Sequence, residues 1–166
     1  MSADARPIEA NAPMDAGVQN LLDNAGFEFG CAGWEASNNA SAKAATPARS
    51  GSSACLVCST GTTSYSIGGT ANHPSKPGEE YRMEAWLRAP PGMDASASMQ
   101  GIVQIYQPDG FLEQGNPTTG FVPTNEWQAL KAFIKVTQDG GNRVFVNILA
   151  AGQTCFLIDD VLLYRY

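Results

Sequence analysis

Cys155-Phe156-Leu157-Ile158-Asp159-Asp160-Val161-Leu162-Leu163-Tyr164 is an apolar run broken at its middle by two carboxylates. Its β-branched and aromatic content predicts a strand over 154–164. Successive strand side chains point to opposite faces, so Asp159 and Asp160 should diverge and at least one should face inward. A buried carboxylate needs a partner charge, hydrogen bonds or a cation. The candidate partner lies near the other end of the chain: Glu28, in Asn24-Ala25-Gly26-Phe27-Glu28. The last strand and the first turn are therefore expected side by side.

Outward from that strand the chain repeats one theme. Strands are predicted at 54–59, 64–68, 80–88, 100–107, 127–137 and 143–149, separated by turn clusters such as Pro77-Gly78, Pro108-Asp109-Gly110 and Asp139-Gly140-Gly141-Asn142. No segment holds a helical period over three turns. The expected fold is all-β, a β-sandwich jelly roll of two antiparallel sheets, forming one domain over residues 20–166. Residues 1–19 are rich in Ala, Pro and Asp without apolar periodicity. They are expected to be a flexible leader, of the kind that tethers a module to a lipid anchor, with any export signal already removed.

Composition narrows the partners. The 166 residues carry a net charge of −6, which argues against nucleic acid or an anionic membrane surface. No apolar run reaches transmembrane length. Four scattered cysteines, Cys31, Cys55, Cys58 and Cys155, and a single histidine, His73, do not make up a zinc site. Disulfides are the expectation, implying an oxidising, secreted, periplasmic or cell-surface location; four unlinked buried thiols are the alternative. Cys55 and Cys58 alternate in face within one strand and should not bond to each other. The sequence leaves the connectivity open; the pairing expected is Cys31–Cys58 with Cys55–Cys155.

Five motifs in order carry a resemblance. They are Asn20-Leu21-Leu22 with Asn24-Ala25-Gly26-Phe27-Glu28 and Gly33-Trp34, then Arg49-Ser50-Gly51-Ser52-Ser53-Ala54, then Pro77-Gly78-Glu79-Glu80-Tyr81 leading to Trp86. Glu126-Trp127-Gln128 and Phe156-Leu157-Ile158-Asp159-Asp160-Val161 complete the series. Together, over residues 20–166, they resemble carbohydrate-binding modules of the family 4/9/16/22 kind. The cysteines and the polar segment 108–125 depart from that pattern. The resemblance implies a structural calcium held by Glu28 and Asp159, with Asp160 a substitute and backbone carbonyls near Ser50 to Ser53 adding oxygen ligands. The alternative without metal is that Asp159 and Asp160 bond backbone amides or pair with Arg49.

Sugar binding asks for aromatic rings, which stack on apolar CH faces, beside amides, carboxylates and arginine for the hydroxyls. Alternation in 80–88 turns Arg82, Glu84 and Trp86 outward; Gln104 and Tyr106 alternate with Val103 and Ile105, and Asn147 with Val146 and Ile148. Arg82, Glu84, Trp86, Gln104, Tyr106 and Asn147 are therefore expected to line one concave sheet face. A register slip of one would bury Trp86 instead. Trp34 and Trp127 are expected to pack, Tyr65 to stand on a loop, and His73 and Glu79-Glu80 to be solvated. Glu84 with Glu113 or Asp109 is a conceivable hydrolytic pair, but nothing in the spacing favours it. The expectation is a non-catalytic, monomeric polysaccharide binder. The competing reading, an adhesive module making protein contacts, predicts a flat apolar patch in place of a polar-aromatic groove.

Overall fold

A computed structural model describes residues 18–37, 39–93 and 98–166. Most of the expected leader, residues 1–17, lies outside the described residues. Eleven strands follow in order: β1 Glu35–Ala36, β2 Ala40–Ala45, β3 Ala54–Ser59, β4 Tyr65–Ala71, β5 Glu80–Arg88, β6 Met99–Gln107, β7 Gly110–Gln114, β8 Thr118–Phe121, β9 Gln128–Lys135, β10 Arg143–Ala150 and β11 Cys155–Arg165. Sheet A runs β1-β4-β10-β6-β7, with β8 also pairing β6; sheet B runs β2-β3-β11-β5-β9. Every pairing is antiparallel. The sandwich and all seven predicted strands are present.

The core forms where the inner faces of the two sheets meet. Tyr81, Met83, Ala85 and Leu87 of β5, Leu130, Ala132 and Ile134 of β9, and Val144, Val146 and Ile148 of β10 are all buried. Each set recurs at a spacing of two, so one face of each strand loses its water while the other stays accessible. Four strands went unpredicted: β1, β2, β7 and β8. All lie at sheet margins. An edge strand covers little core and needs no large apolar residues, and in Ala-Ser-Ala-Lys-Ala-Ala of β2 only alanines, poor strand formers, alternate with the polar groups.

In β11 the parity of burial changes. Phe156 and Ile158 face the core before the carboxylates, Val161 and Leu163 after them. A β-bulge between Asp159 and Leu162, with Asp160 at φ 46°, absorbs the extra residue. The regular alternation expected to drive Asp159 and Asp160 to opposite faces is thus interrupted where they sit.

The disulfides are Cys31–Cys55 and Cys58–Cys155, which corrects the expected pairing of Cys31 with Cys58 and Cys55 with Cys155. Register explains it. Cys58 of β3 stands directly opposite Cys155 of β11, with Cα atoms 4.1 Å apart. Cys55, three residues earlier, points to the other face and is fully buried, where the turn carrying Cys31 reaches it.

Candidate functional site

The six expected ligand-binding residues do not share a face. Arg82, Glu84 and Trp86 lie on β5 in sheet B; Gln104, Tyr106 and Asn147 lie on β6 and β10 in sheet A. Both trios point outward as alternation requires, and the outer faces of a sandwich look in opposite directions. Periodicity fixes inside against outside and carries no information about which sheet a strand joins.

On sheet B the three expected groups are engaged within the molecule. The Arg49 guanidinium lies 3.7 Å from the centroid of the Trp86 ring and donates to Asp160 Oδ2 at 2.7 Å. Arg82 donates to Glu80 at 2.6 Å and stacks 3.6 Å from the Tyr166 ring centroid. Lys131 of β9 pairs with Glu84 at 2.9 Å.

The expected metal residues gather on the turn before β3. Asp159 is fully buried: its Oδ2 accepts the amides of Arg49 at 2.7 Å and Ser50 at 3.3 Å, and its Oδ1 accepts the amide of Asp160 at 2.8 Å. Burial pushes the Asp159 carboxyl above the usual range; the Arg49 amide draws it back and the Asp160 charge adds to the rise. Asp160 Oδ1 accepts the Ser50 hydroxyl. Glu28 accepts the hydroxyl and amide of Ser52, and those bonds hold its carboxyl below the usual range. Gly51, at φ 59°, leaves room for the Glu28 carboxylate that a Cβ would occupy. The first turn and last strand lie side by side as expected, the Val161 amide donating to the Ala25 carbonyl at 2.9 Å and the Leu21 amide to the Leu163 carbonyl at 2.8 Å. Their carboxylates, however, bond the turn before β3: Glu28 bonds Ser52, while Asp159 and Asp160 bond Arg49 and Ser50. Among the described residues no group of three His, Cys, Asp or Glu side chains is arranged to hold a metal.

The outer face of sheet A is different in kind. Tyr106 meets Phe111 of β7 edge to face at 5.8 Å and Phe145 of β10 at 6.0 Å. Phe145 reaches across Gly68 of β4, where any Cβ would collide with the ring, so this glycine is what lets the aromatic lie along the sheet. Arg143 stands 5.6 Å from the Tyr106 centroid, and its only hydrogen-bond acceptor among the described residues is the Gln107 carbonyl at 3.4 Å. Tyr106, Phe145 and Arg143, with Thr70 and Glu35, border a depression of about 170 Å³. Gln104 bonds Gln114 across the strand pair at 3.2 Å. Asn147, between Gly68 and Ile102 in register, holds an Oδ1 that is buried without a partner. Phe111 is 52% exposed. Sequence reasoning passed over Arg143, Phe145 and Phe111, although Phe145 shares Asn147's parity on the same strand and could have been found from it.

Several lesser expectations change. Tyr65 does not stand on a loop; it is buried in β4, its hydroxyl 3.0 Å from Thr154 Oγ1. His73 and Glu79 are not simply solvated, because both contact the Tyr81 hydroxyl at 3.0 Å. Burial, then the Glu79 hydrogen bond and charge, push that phenol far up. Trp34 packs as expected, 4.8 Å from Phe27. Glu84 and Glu113 fall on different sheets, each tied to its own neighbours.

Similarity places this geometry among known proteins. Residues 19–150 match the family described as carbohydrate binding domain. No curated protein matches the chain. Among solved structures, TmCBM61 in complex with beta-1,4-galactotriose superposes with a TM-score of 0.63 at 20% identity, covering 89% of this chain and 99% of that one. Family 16 Carbohydrate Binding Module-2 gives 0.61 at 22% identity, covering 87% and 99%. The enzymatically active domain of Bacteriophage CBA120 tailspike protein 4 gives 0.71 at 11% identity; it covers 89% of this chain, which spans only 21% of that longer one. At such identities the structural likeness establishes the fold, and it is the sequence match that assigns the family: this chain belongs to the carbohydrate binding domain family.

Proposed function

We propose that the domain binds a polysaccharide non-covalently on the outer face of sheet A and leaves the bound sugar chemically unchanged. The carrying observation is that Tyr106 and Phe145 line a depression that also presents Arg143, with Phe111 set edge to face against Tyr106. Rings supply stacking area for sugar CH faces, while the guanidinium and the amides of Gln104 and Asn147 supply directional bonds to hydroxyls. Two disulfides suit the secreted or cell-surface setting in which polysaccharides are met, with residues 1–19 as a tether.

Affinity gel electrophoresis against soluble β-glucans, xylans and galactans tests the face. Retardation of the parent, lost in Tyr106→Ala and kept in Trp86→Ala, is the expected result. Loss in Trp86→Ala alone would move the site to sheet B, and retardation by none of the glycans would reject sugar binding.

Calcium is proposed as a structural ion at the turn between Glu28 and Asp159. Three carboxylates meet this turn against one guanidinium, and oxygen-only donors suit a hard cation. Two carboxylates with main-chain carbonyls near Ser50 to Ser53 would hold it, Asp160 standing in if Asp159 keeps its amides. The ion would neutralise the local charge and join β11 to the first turn. Chelation with EDTA should lower the thermal midpoint and added calcium restore it; a midpoint indifferent to both would remove the ion from the account.

A further inference from the structure

Strand β4 carries Gly68 and Gly69 in succession, and neither has room for a side chain. Glycine weakens a strand interior, so each position calls for a reason. The two reasons lie on opposite sides of sheet A. Towards the core, a Cβ on Gly69 would stand 2.9 to 3.2 Å from the Trp34 ring, which packs on Phe27 and donates its indole N–H to the Asn24 carbonyl. Core packing accounts for Gly69. Gly68 faces outward, between Glu35 of β1 and Asn147 of β10 in register, and owes nothing to the core. What lies over it is the tip of the Phe145 ring, although Phe145 itself stands opposite Thr70, two residues along β4. The ring therefore leans diagonally across the sheet onto bare backbone. The two carbons flanking its tip would be 2.7 and 2.9 Å from a Cβ there, so neither edge is turned down and the ring lies flat.

Phe145 and Tyr106 then take different parts in the depression they share. Their planes meet at 81° with centroids 6.0 Å apart, so beside a ring laid along the sheet Tyr106 stands steeply up from it. One ring is a floor and the other a wall; Glu35, Thr70 and Arg143 complete the border. We infer that Gly68 is a positioning residue of this site. By leaving Phe145 flat it sets the depth of the depression, and so seats a single pyranose with one CH face on Phe145 and its rim against Tyr106. The inference rests on the sheet-face reading and deepens it, because it makes Phe145, and not Tyr106, the stacking ring. Non-bonded carbons settle about 3.5 Å apart or more, so a Cβ at position 68 would lift the ring tip into the space the sugar takes.

A double-mutant cycle, read by isothermal titration with β-1,4-linked glucose, xylose and galactose tetramers, provides the test. For the tetramer that binds, Gly68→Ala and Phe145→Ala should each lower affinity about fivefold, the weight of one aromatic contact. In the Phe145→Ala background Gly68→Ala should cost nothing more, because no ring remains to be lifted. Proton spectra give a second readout: the sugar C–H signals should move upfield on binding the parent, as over a ring face, and lose that shift with Phe145→Ala. Undiminished binding by Gly68→Ala, beside a loss in Tyr106→Ala, overturns the positioning role and leaves the sheet face standing. Equal losses from Gly68→Ala with and without Phe145 also overturn it, since the glycine would then act through the backbone and not the ring. Should Gly68→Ala alone fail to fold, the double variant decides. Folded and binding no more weakly than Phe145→Ala, it upholds the role; unfolded, it overturns it. A parent that binds none of the three tetramers overturns the face and the positioning residue together.

Discussion

On the outer face of sheet B, Arg82, Glu84 and Trp86 each meet a partner supplied by the same molecule; on the outer face of sheet A, Phe111 stays half in water, Arg143 has a single carbonyl acceptor and Asn147 keeps a buried oxygen unpaired. The same alternation produced both faces. What separates them is the chain around them. The turn at 49–52 and the terminal Tyr166 fold onto sheet B against Trp86 and Arg82, leaving, among the described residues, only Arg88 Nε buried without a partner on β5, and the Cys58–Cys155 disulfide crosses the face covalently. Among the described residues no comparable segment covers Tyr106 and Phe145. The lesson is that outward polar and aromatic residues are equivocal until their neighbours are known: satisfied, they hold the fold; unsatisfied, they are available to a ligand.

If that division is right, damage to sheet B should register in stability and damage to sheet A in binding. The largest effect should come from the cross-strand disulfide, which closes a separation of 97 residues. Replacing Cys58 and Cys155 together by Ser should lower the unfolding free energy by about 4 kcal/mol in a denaturant titration, with glycan affinity kept wherever the variant remains folded. Equal loss of binding would break the comparison.

Asp159→Asn comes next. All of its carboxylate bonds come from backbone amides, and an amide side chain would turn an NH2 towards at least one of them, at about 1–3 kcal/mol. The pH dependence sharpens this. A folded value above the ordinary 3.8 means that the native state holds this proton more tightly than the unfolded chain, so the Asp159 contribution falls as pH rises from 3.8 through the folded value. Glu79 and Glu113 have the opposite sign: lowered from 4.5, they contribute fully above that value and lose their contribution as pH falls through their folded values. The deficit of Asp159→Asn against the parent should therefore be larger near about pH 3 than at neutrality, measured as thermal midpoints. A deficit independent of pH would separate Asp159 from this titration.

The smallest effect belongs to the Glu84–Lys131 pair. Both side chains reach water, at 28% and 57% exposure, so a double-mutant cycle with Glu84→Gln and Lys131→Met should give about 0.5 kcal/mol or less, with binding untouched. A weakened glycan affinity in either variant would return sheet B to the candidate site.

The strand pattern of the sequence was sufficient for the architecture because burial of one face forces a period of two, visible in Tyr81, Met83, Ala85 and Leu87 without any contact being known. The same pattern marked Arg82, Glu84, Trp86, Gln104, Tyr106 and Asn147 as outward, and the five ordered motifs indicated the family. Sheet membership, and with it the grouping of those six residues, depended on hydrogen bonding between strands far apart in the chain, which no local period encodes. The disulfide partners depended likewise on Cys58 falling opposite Cys155 in register. The shared environment of Asp159 and Asp160 required a bulge that reverses parity in the middle of an apolar run. Which residues are apolar was written in the chain; which outward groups find partners was decided only when the turn at 49–52 and the terminal residues closed against the sheets, because satisfying a polar group is a property of its neighbours in space.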